Sequence, residues 1–459
     1  MTIGTLTVYV ALDEPEKIYC GSDDAITGHV TVHYTPTSSK KQTSPPPDLF
    51  GPLHLTAHFH GRAKTRVYKN NSQNRQTYRG RSPLFSAISV VHDGPFRSAP
   101  NETHRFPFSV TFPSSIDISH TGAWKPDYCF DTAFTGDLPP SFDLRYTGLA
   151  HRFDALTEYR LGAQASLPGL DVYIDARHAG KNSPLHSSQE LEIHYSPPLS
   201  RLPADPANST FTNHHKIQNA LLLPEPDRPS GFKEKFKSLT HSDYFPEFHF
   251  EVLCTHPRRL YLHSPLHFSI RVRPQADLCT APLWPEVHLK IFTFTLTART
   301  SARAEQQFLS EPSSEGSETI LRFSASAKDL PPGPFEKAND MTKAIVTDVL
   351  AGGPCSFATR NIRRAYEMRI ELVVACAGKS MRVRRDVEVV VCPPLAGQVQ
   401  RVGSGEDGGD CVAGPSSLPS SAGKVGAADG KQAVLPRYEE REEPPAYGEH
   451  ARAPVESRD

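Results

Sequence analysis

Apolar and polar residues alternate along most of the first 395 positions of the chain, the two-residue period of a strand with one face buried. Ile26, Gly28, Val30, Val32 and Tyr34 form one face, while Thr27, His29, Thr31 and His33 form the other. Leu53, Leu55, Ala57 and Phe59 repeat the pattern, as do Phe106, Phe108, Val110 and Phe112, and Tyr159, Leu161, Ala163 and Ala165, each run bounded by Gly or Pro. Alternation weakens over the Pro-rich stretch from Ser196 to Gly231 and returns with Phe248, Phe250 and Val252, then Phe268, Ile270 and Val272. In the clearest element, Tyr366, Met368, Ile370, Leu372 and Val374 oppose Glu367, Arg369 and Glu371. Ala377, Gly378 and Lys379 supply a turn, and Val383 to Val391 returns as the partner strand.

The pattern predicts an all-β chain built as two tandem β-sandwiches, over residues 1–195 and 241–395, joined by a Pro-rich linker at 196–240. At 459 residues the chain is too long for one hydrophobic core, and its 42 prolines and 29 glycines suit short strands and loops better than long helices. From Ala396 the composition turns to Gly, Ser, Ala, Pro and acid, with 11 acidic against 7 basic residues. Such a segment buries too little apolar surface to offset its ordering entropy, so 396–459 is expected to be a disordered tail.

Charge and cysteine usage narrow the function classes. The 50 basic and 51 acidic side chains nearly cancel, which removes the net attraction of a general nucleic-acid binder. The 8 cysteines form no Cys-x-x-Cys pair and are expected to be reduced thiols. Neither a signal peptide at Met1–Leu12 nor an apolar run of about 18 residues is present, so the expected location is the cytoplasm, with Asn70, Asn101 and Asn208 unglycosylated. The stretch Phe232-Lys233-Glu234-Lys235-Phe236-Lys237 leaves peripheral membrane association open, although its small charge favours a packed interdomain segment.

No catalytic, cofactor or metal site is expected. There is no nucleophile elbow, phosphate-binding glycine loop or His-Glu-x-x-His. His54, His58 and His60 share a strand face, and His214 adjoins His215, but no carboxylate or cysteine completes a ligand set, so they are taken as surface residues.

Two tail peptides carry the strongest functional signal, Leu435-Pro436-Arg437-Tyr438 and Pro444-Pro445-Ala446-Tyr447. They are an LPxY and a PPxY motif. WW domains bind such peptides because proline pre-sets the polyproline II backbone, one aromatic groove takes the proline rings, and a second pocket takes the tyrosine. One PPxY arises by composition with a probability of roughly one in ten, but two related motifs within 13 residues are much less accidental.

The folded region resembles the α-arrestins. Asp23-Asp24-Ala25-Ile26-Thr27-Gly28-His29-Val30 is similar to their early strand pair, and Phe106-Pro107-Phe108 to their FPF strand. Leu138-Pro139-Pro140-Ser141-Phe142, Glu158-Tyr159-Arg160-Leu161-Gly162-Ala163, and the Asn361 to Met368 and Cys376 to Lys379 hairpin extend the resemblance over residues 1–395. The resemblance implies an arrestin fold and an adaptor, recruiting a HECT-type ubiquitin ligase through WW domains to membrane transporters or receptors at the plasma membrane and endosomes. It also leaves a retromer-subunit-like scaffold, and an arrestin signalling from a pH- or nutrient-sensing receptor, as alternatives. The long insertion Thr35 to Asp48 departs from the family pattern.

Brief proteolysis is therefore expected to leave a stable fragment of about 390 to 400 residues, cut just beyond Cys392-Pro393-Pro394. A tail as resistant as the rest, on a time course read by mass spectrometry, would contradict this.

Overall fold

The computed structural model describes residues 4–37, 46–71, 74–117, 124, 130, 136–149, 151–168, 172–175, 190–198, 208–229, 245–305, 312–331, 333–335, 342–350 and 353–395. The architecture is all-β. The first part comprises β1 (Gly4–Leu12), β2 (Ile18–Cys20), β3 (Ile26–Pro36), β4 (Leu49–Asn71), β5 (Asn74–Ser98), β6 (Thr103–Val110), β7 (Phe142–Thr147), β8 (Arg152–Ser166), β9 (Val172–Asp175) and β10 (Leu191–Ser196). They form a four-stranded sheet, β6-β3-β1-β9, and a six-stranded sheet, β2-β10-β8-β4-β5, with β7 also on β8.

Inward residues of both sheets make one core. Leu6, Val8, Val30 and Val32 from the smaller sheet meet Leu55, Phe59, Tyr159 and Leu161 from the larger. Phe59 is its centre, with edge-to-face partners Phe85 at 5.0 Å and Phe112 at 4.9 Å, the geometry that sets a positive ring edge on a negative ring face.

The second part contains β11 (Asn208–Gln218), β12 (Glu247–Pro257), β13 (Arg259–Tyr261), β14 (Pro265–Pro274), β15 (Val287–Arg303), β16 (Ser313–Ser326), β17 (Thr342–Val349), β18 (Phe357–Ala358), β19 (Ile362–Cys376) and β20 (Lys379–Cys392). Its sheets are β11-β12-β14-β17 and β13-β20-β19-β15-β16, with β18 also on β19. The larger sheet repeats that of the first part strand for strand. A three-residue strand lies parallel to the last strand in each (β2 on β10, β13 on β20), and a long hairpin closes the other side (β4–β5, β15–β16). Phe248, Phe250, Phe268, Phe292 and Phe294 fill the second core between its two sheets.

Two local results follow from turn and strand chemistry. The β19–β20 hairpin closes through Ala377 (φ 45°) and Gly378 (φ 71°) with Cys376 opposite Lys379. This is the two-residue turn whose twist matches the flanking strands. The expected linker at 196–240, by contrast, contains a strand, since β11 pairs with β12 from Asn208↔Pro257 to Gln218↔Glu247. Its inward positions include Asn213 and His215 beside Phe211 and Ile217, so the apolar alternation is too dilute to stand out. The Phe232–Lys237 stretch lies outside the described residues. No helix among the described residues is long and apolar enough to cross a membrane.

Removing the ring at the centre of the first core should leave a cavity that rigid sheets refill poorly. Phe59→Ala is expected to lower unfolding free energy by about 3–5 kcal/mol in urea titration, and a loss below about 1 kcal/mol would contradict the packing described.

Candidate interaction surfaces

The two sandwiches meet through a buried polar junction. The end of β15 carries Arg303, whose side chain is almost wholly enclosed. Its guanidinium stacks over Trp124 at 5.0 Å and Phe130 at 4.6 Å, and its Nε donates to the Arg360 carbonyl. A fully buried charge is costly, and ring faces together with a carbonyl offset much of that cost. The Arg303 carbonyl accepts the Thr65 hydroxyl at 2.6 Å, and its amide donates to the Asn361 carbonyl at 3.0 Å. Asn361 in turn donates its side-chain amide to the Ala63 carbonyl at 3.1 Å.

Close backbone approach completes the contact. A side chain at Gly80 would put its Cβ 2.5 Å from Thr65 Oγ1 and 2.8 Å from the Arg303 carbonyl oxygen, so only glycine fits. Beside it the Glu305 amide donates to the Arg79 carbonyl at 3.1 Å, and the Arg81 amide donates to the Glu305 carboxylate at 2.9 Å. A second buried guanidinium, Arg364, is held by Thr300, Glu318 and the rings of Phe142 and Tyr366.

The outer faces of both larger sheets carry charged residues at facing positions. On the second, Arg369 stands opposite Asp386 and Arg299 lies diagonal to Glu367, and both pairs form salt bridges, while Glu367 itself stands opposite Glu388. On the first, near the junction, Lys64 stands opposite Arg81 and Arg66 opposite Arg79. Like charges directly opposite are destabilising. Glu158 relieves part of this, a buried carboxylate that binds Arg62, Lys64 and Arg160. Burial pushes the Glu158 carboxyl up, but Lys64 and Arg62 outweigh burial and hold it down at about 2. Lys64 itself is lowered, first by burial and further by the like charges of Arg62 and Arg81, against the pull of Glu158.

The histidines separate in space. His54, His58 and His60 do share the outer face of β4, where His54 faces Asp93 at 3.4 Å and His58 bonds the Thr56 hydroxyl at 3.0 Å. Burial lowers His60. His214 and His215 point to opposite faces of β11: His214 meets Glu251 at 3.1 Å, while His215 packs on Phe250 at 5.5 Å. Among the described residues no three His, Cys, Asp or Glu side chains are placed to hold a metal ion. Cys254, Cys355 and Cys376 are buried free thiols, each pushed up by burial to about 12. Cys20 is an exposed one.

The tail motif residues Leu435, Pro436, Tyr438, Pro444, Pro445 and Tyr447 lie outside the described residues. Neither the junction nor the like-charge face was anticipated from the sequence. The junction joins residues far apart in the chain, and the like-charge face depends on the register of β4 with β5.

A scan against models of known protein families finds no match, and no curated protein sequence matches the chain.

Two outcomes test this geometry. With its folded-state carboxyl near 2 against an ordinary 4.5, Glu158 stabilises the fold above about pH 4.5, and that contribution, up to about 3 kcal/mol, drains away as pH falls toward 2. Glu158→Gln should accordingly lower stability at pH 7 by about 2–3 kcal/mol and flatten its decline below pH 4.5. An unaltered urea midpoint at both pH values would contradict the ion-pair account. Gly80→Val should cost about 2 kcal/mol or more by forcing the junction apart, read by thermal unfolding against wild type, with no loss as the contrary result.

Proposed function

We propose that the chain is an adaptor, similar in kind to the α-arrestins, that brings a WW-domain HECT-type ubiquitin ligase to plasma-membrane transporters or receptors and so promotes their ubiquitylation and endocytosis. The observation that carries this reading is the pairing of LPxY, ending at Tyr438, with PPxY, ending at Tyr447, downstream of two tandem sandwiches. The folded part supplies broad, rigid sheet faces for a macromolecular partner. The tail supplies two short ligands that need no fold to be recognised. Tethering ligase and cargo on one scaffold replaces a rare bimolecular encounter by a local one, which accelerates modification without any catalytic group in this chain. Its place of action is then the cytoplasm, with recruitment to plasma membrane and endosomes.

Both motifs act together in this reading. Tyr438 and Tyr447 are 9 residues apart, a span of about 17 Å for a flexible chain and roughly 30 Å extended, enough for two WW domains of one ligase. Dual engagement should raise avidity by about a hundredfold over either motif alone.

Calorimetry with a tandem WW region tests this. Tyr447→Ala should do most of the damage, because Pro444 and Pro445 fix the backbone of that motif more fully than Pro436 fixes the other. Tyr438→Ala should cost less, and the double variant should abolish binding without altering thermal unfolding. Unchanged affinity in the double variant would remove the basis for the adaptor reading.

A further inference from the structure

Strand β5 ends the first six-stranded sheet, so the side of its backbone turned away from β4 is a sheet edge. Between Leu84 and Phe96, one backbone hydrogen bond reaches that side among the described residues, from the Asp117 amide to the Leu84 carbonyl at 2.8 Å. Edge strands are ordinarily guarded against pairing with another chain by charged side chains, proline or a covering segment. Leu84 to Val91 reads Leu-Phe-Ser-Ala-Ile-Ser-Val-Val, with neither a charge nor a proline. Ile88, opposite His58 on the outer face, is 65% exposed, and Val90, opposite Thr56, is 60% exposed. Ser86 and Ala87 beside them are exposed as well. The edge strand in the same place in the second sandwich, β16, carries Glu315, Glu318 and Arg322. An exposed, uncharged run with β-branched side chains is the kind of edge that adds a further strand.

We propose that Ser86 to Val91 is an interaction surface for a second copy of this chain, the two β5 strands pairing antiparallel about a two-fold axis so that both six-stranded sheets join into one. The residue pattern selects this occupant. A two-fold axis perpendicular to the sheet keeps outer faces outer, so residues set opposite each other must share a face. With Ser89 on the axis, Ile88 of each copy stands opposite Val90 of the other, and the four exposed β-branched side chains meet in one patch. Cross-strand pairs of this kind are the unit of sheet stabilisation. No charge meets its like within the paired run, because Pro83 and Pro95 bound it before Arg81 and Arg97 are reached, and the register shifts of the β4–β5 pairing fall at its two ends, Leu84 and Val91. Each copy spends its β5 edge on the other, so the assembly closes at two chains. The surface stands on the exposure and composition of the edge, independently of the adaptor reading. Within that reading, a pair carries four tail motifs.

The test is sedimentation equilibrium of the full-length protein from low micromolar to several hundred micromolar, with hydrogen exchange read by mass spectrometry at both ends of that range. Expected is a mass that rises with concentration toward that of two chains and no further, with slower exchange of the Ser86 to Val91 amides at the high end alone. I88K/V90K sets lysine opposite lysine across the axis and should hold the chain at the monomer mass, with thermal unfolding unchanged because both side chains are already exposed. I88T/V90T keeps the branching but removes apolar contact, and should raise the dissociation constant about threefold or more. Leu149→Lys, fully exposed between β7 and β8, should change nothing. The Tyr438→Ala/Tyr447→Ala protein should still pair, and I88K/V90K should still bind a single WW domain, so the two readings fail separately. A chain that is monomeric throughout, a pair that survives I88K/V90K, or growth beyond two chains would overturn the proposal. So would a chain that stays monomeric yet gains the same amide protection from an added peptide alternating Val and Ser, which would make β5 a peptide site.

Discussion

The arrangement of this scaffold depends on a charge buried where two sandwiches meet. Arg303 is contributed by the last residue of β15, yet the rings it stacks on, Trp124 and Phe130, and the hydroxyl bonded to its carbonyl, from Thr65, belong to the other sandwich. A guanidinium deprived of water costs several kcal/mol unless rings and carbonyls replace the solvent. The contact is therefore steep: assembled, the guanidinium lies against two rings and a carbonyl, whereas partly opened, it strands a charge. Arg364, wedged between Phe142 of the first sandwich and Tyr366 of the second, works the same way. Ala302, Ala304 and Ile362 of the second sandwich join the first core, so the polar contacts sit inside an apolar seam.

Two copies of one architecture make the differences between them informative. The larger sheets share strand order and connection pattern, and both bury aromatic cores. Their outer faces, free of the packing constraint, differ in detail: Lys64 faces Arg81 and Arg66 faces Arg79 on the first, while Glu367 faces Glu388 and Arg369 faces Asp386 on the second. Packing explains the shared features.

The legible part of the chain was the part governed by local rules. Alternation located the strands around Val30, Phe59, Leu161 and Ile370 because a buried face repeats every second residue. Ala377-Gly378 announced its hairpin because both residues take positive φ. Strand β11 escaped because Asn213 and His215 occupy inward positions that the pattern expects to be apolar. Arg303, in a run of Ala, Arg, Thr and Ser, carries no local sign that it will be enclosed by rings some 170 to 180 residues away. The opposition of Lys64 to Arg81 likewise exists only once β4 and β5 are paired in register. The tail motifs are the reverse case, since a short proline-rich motif such as LPxY or PPxY is complete in its sequence.

Recruitment by the tail is the central claim, and affinity capture from cells addresses it directly. The full chain and a chain ending at Leu395 would be isolated side by side, with WW-domain ubiquitin ligases quantified in each. The account predicts recovery of such a ligase with the full chain and its loss from the shortened one, while both carry the same membrane-protein cargo. Equal recovery of the ligase with both chains, or with neither, would contradict it.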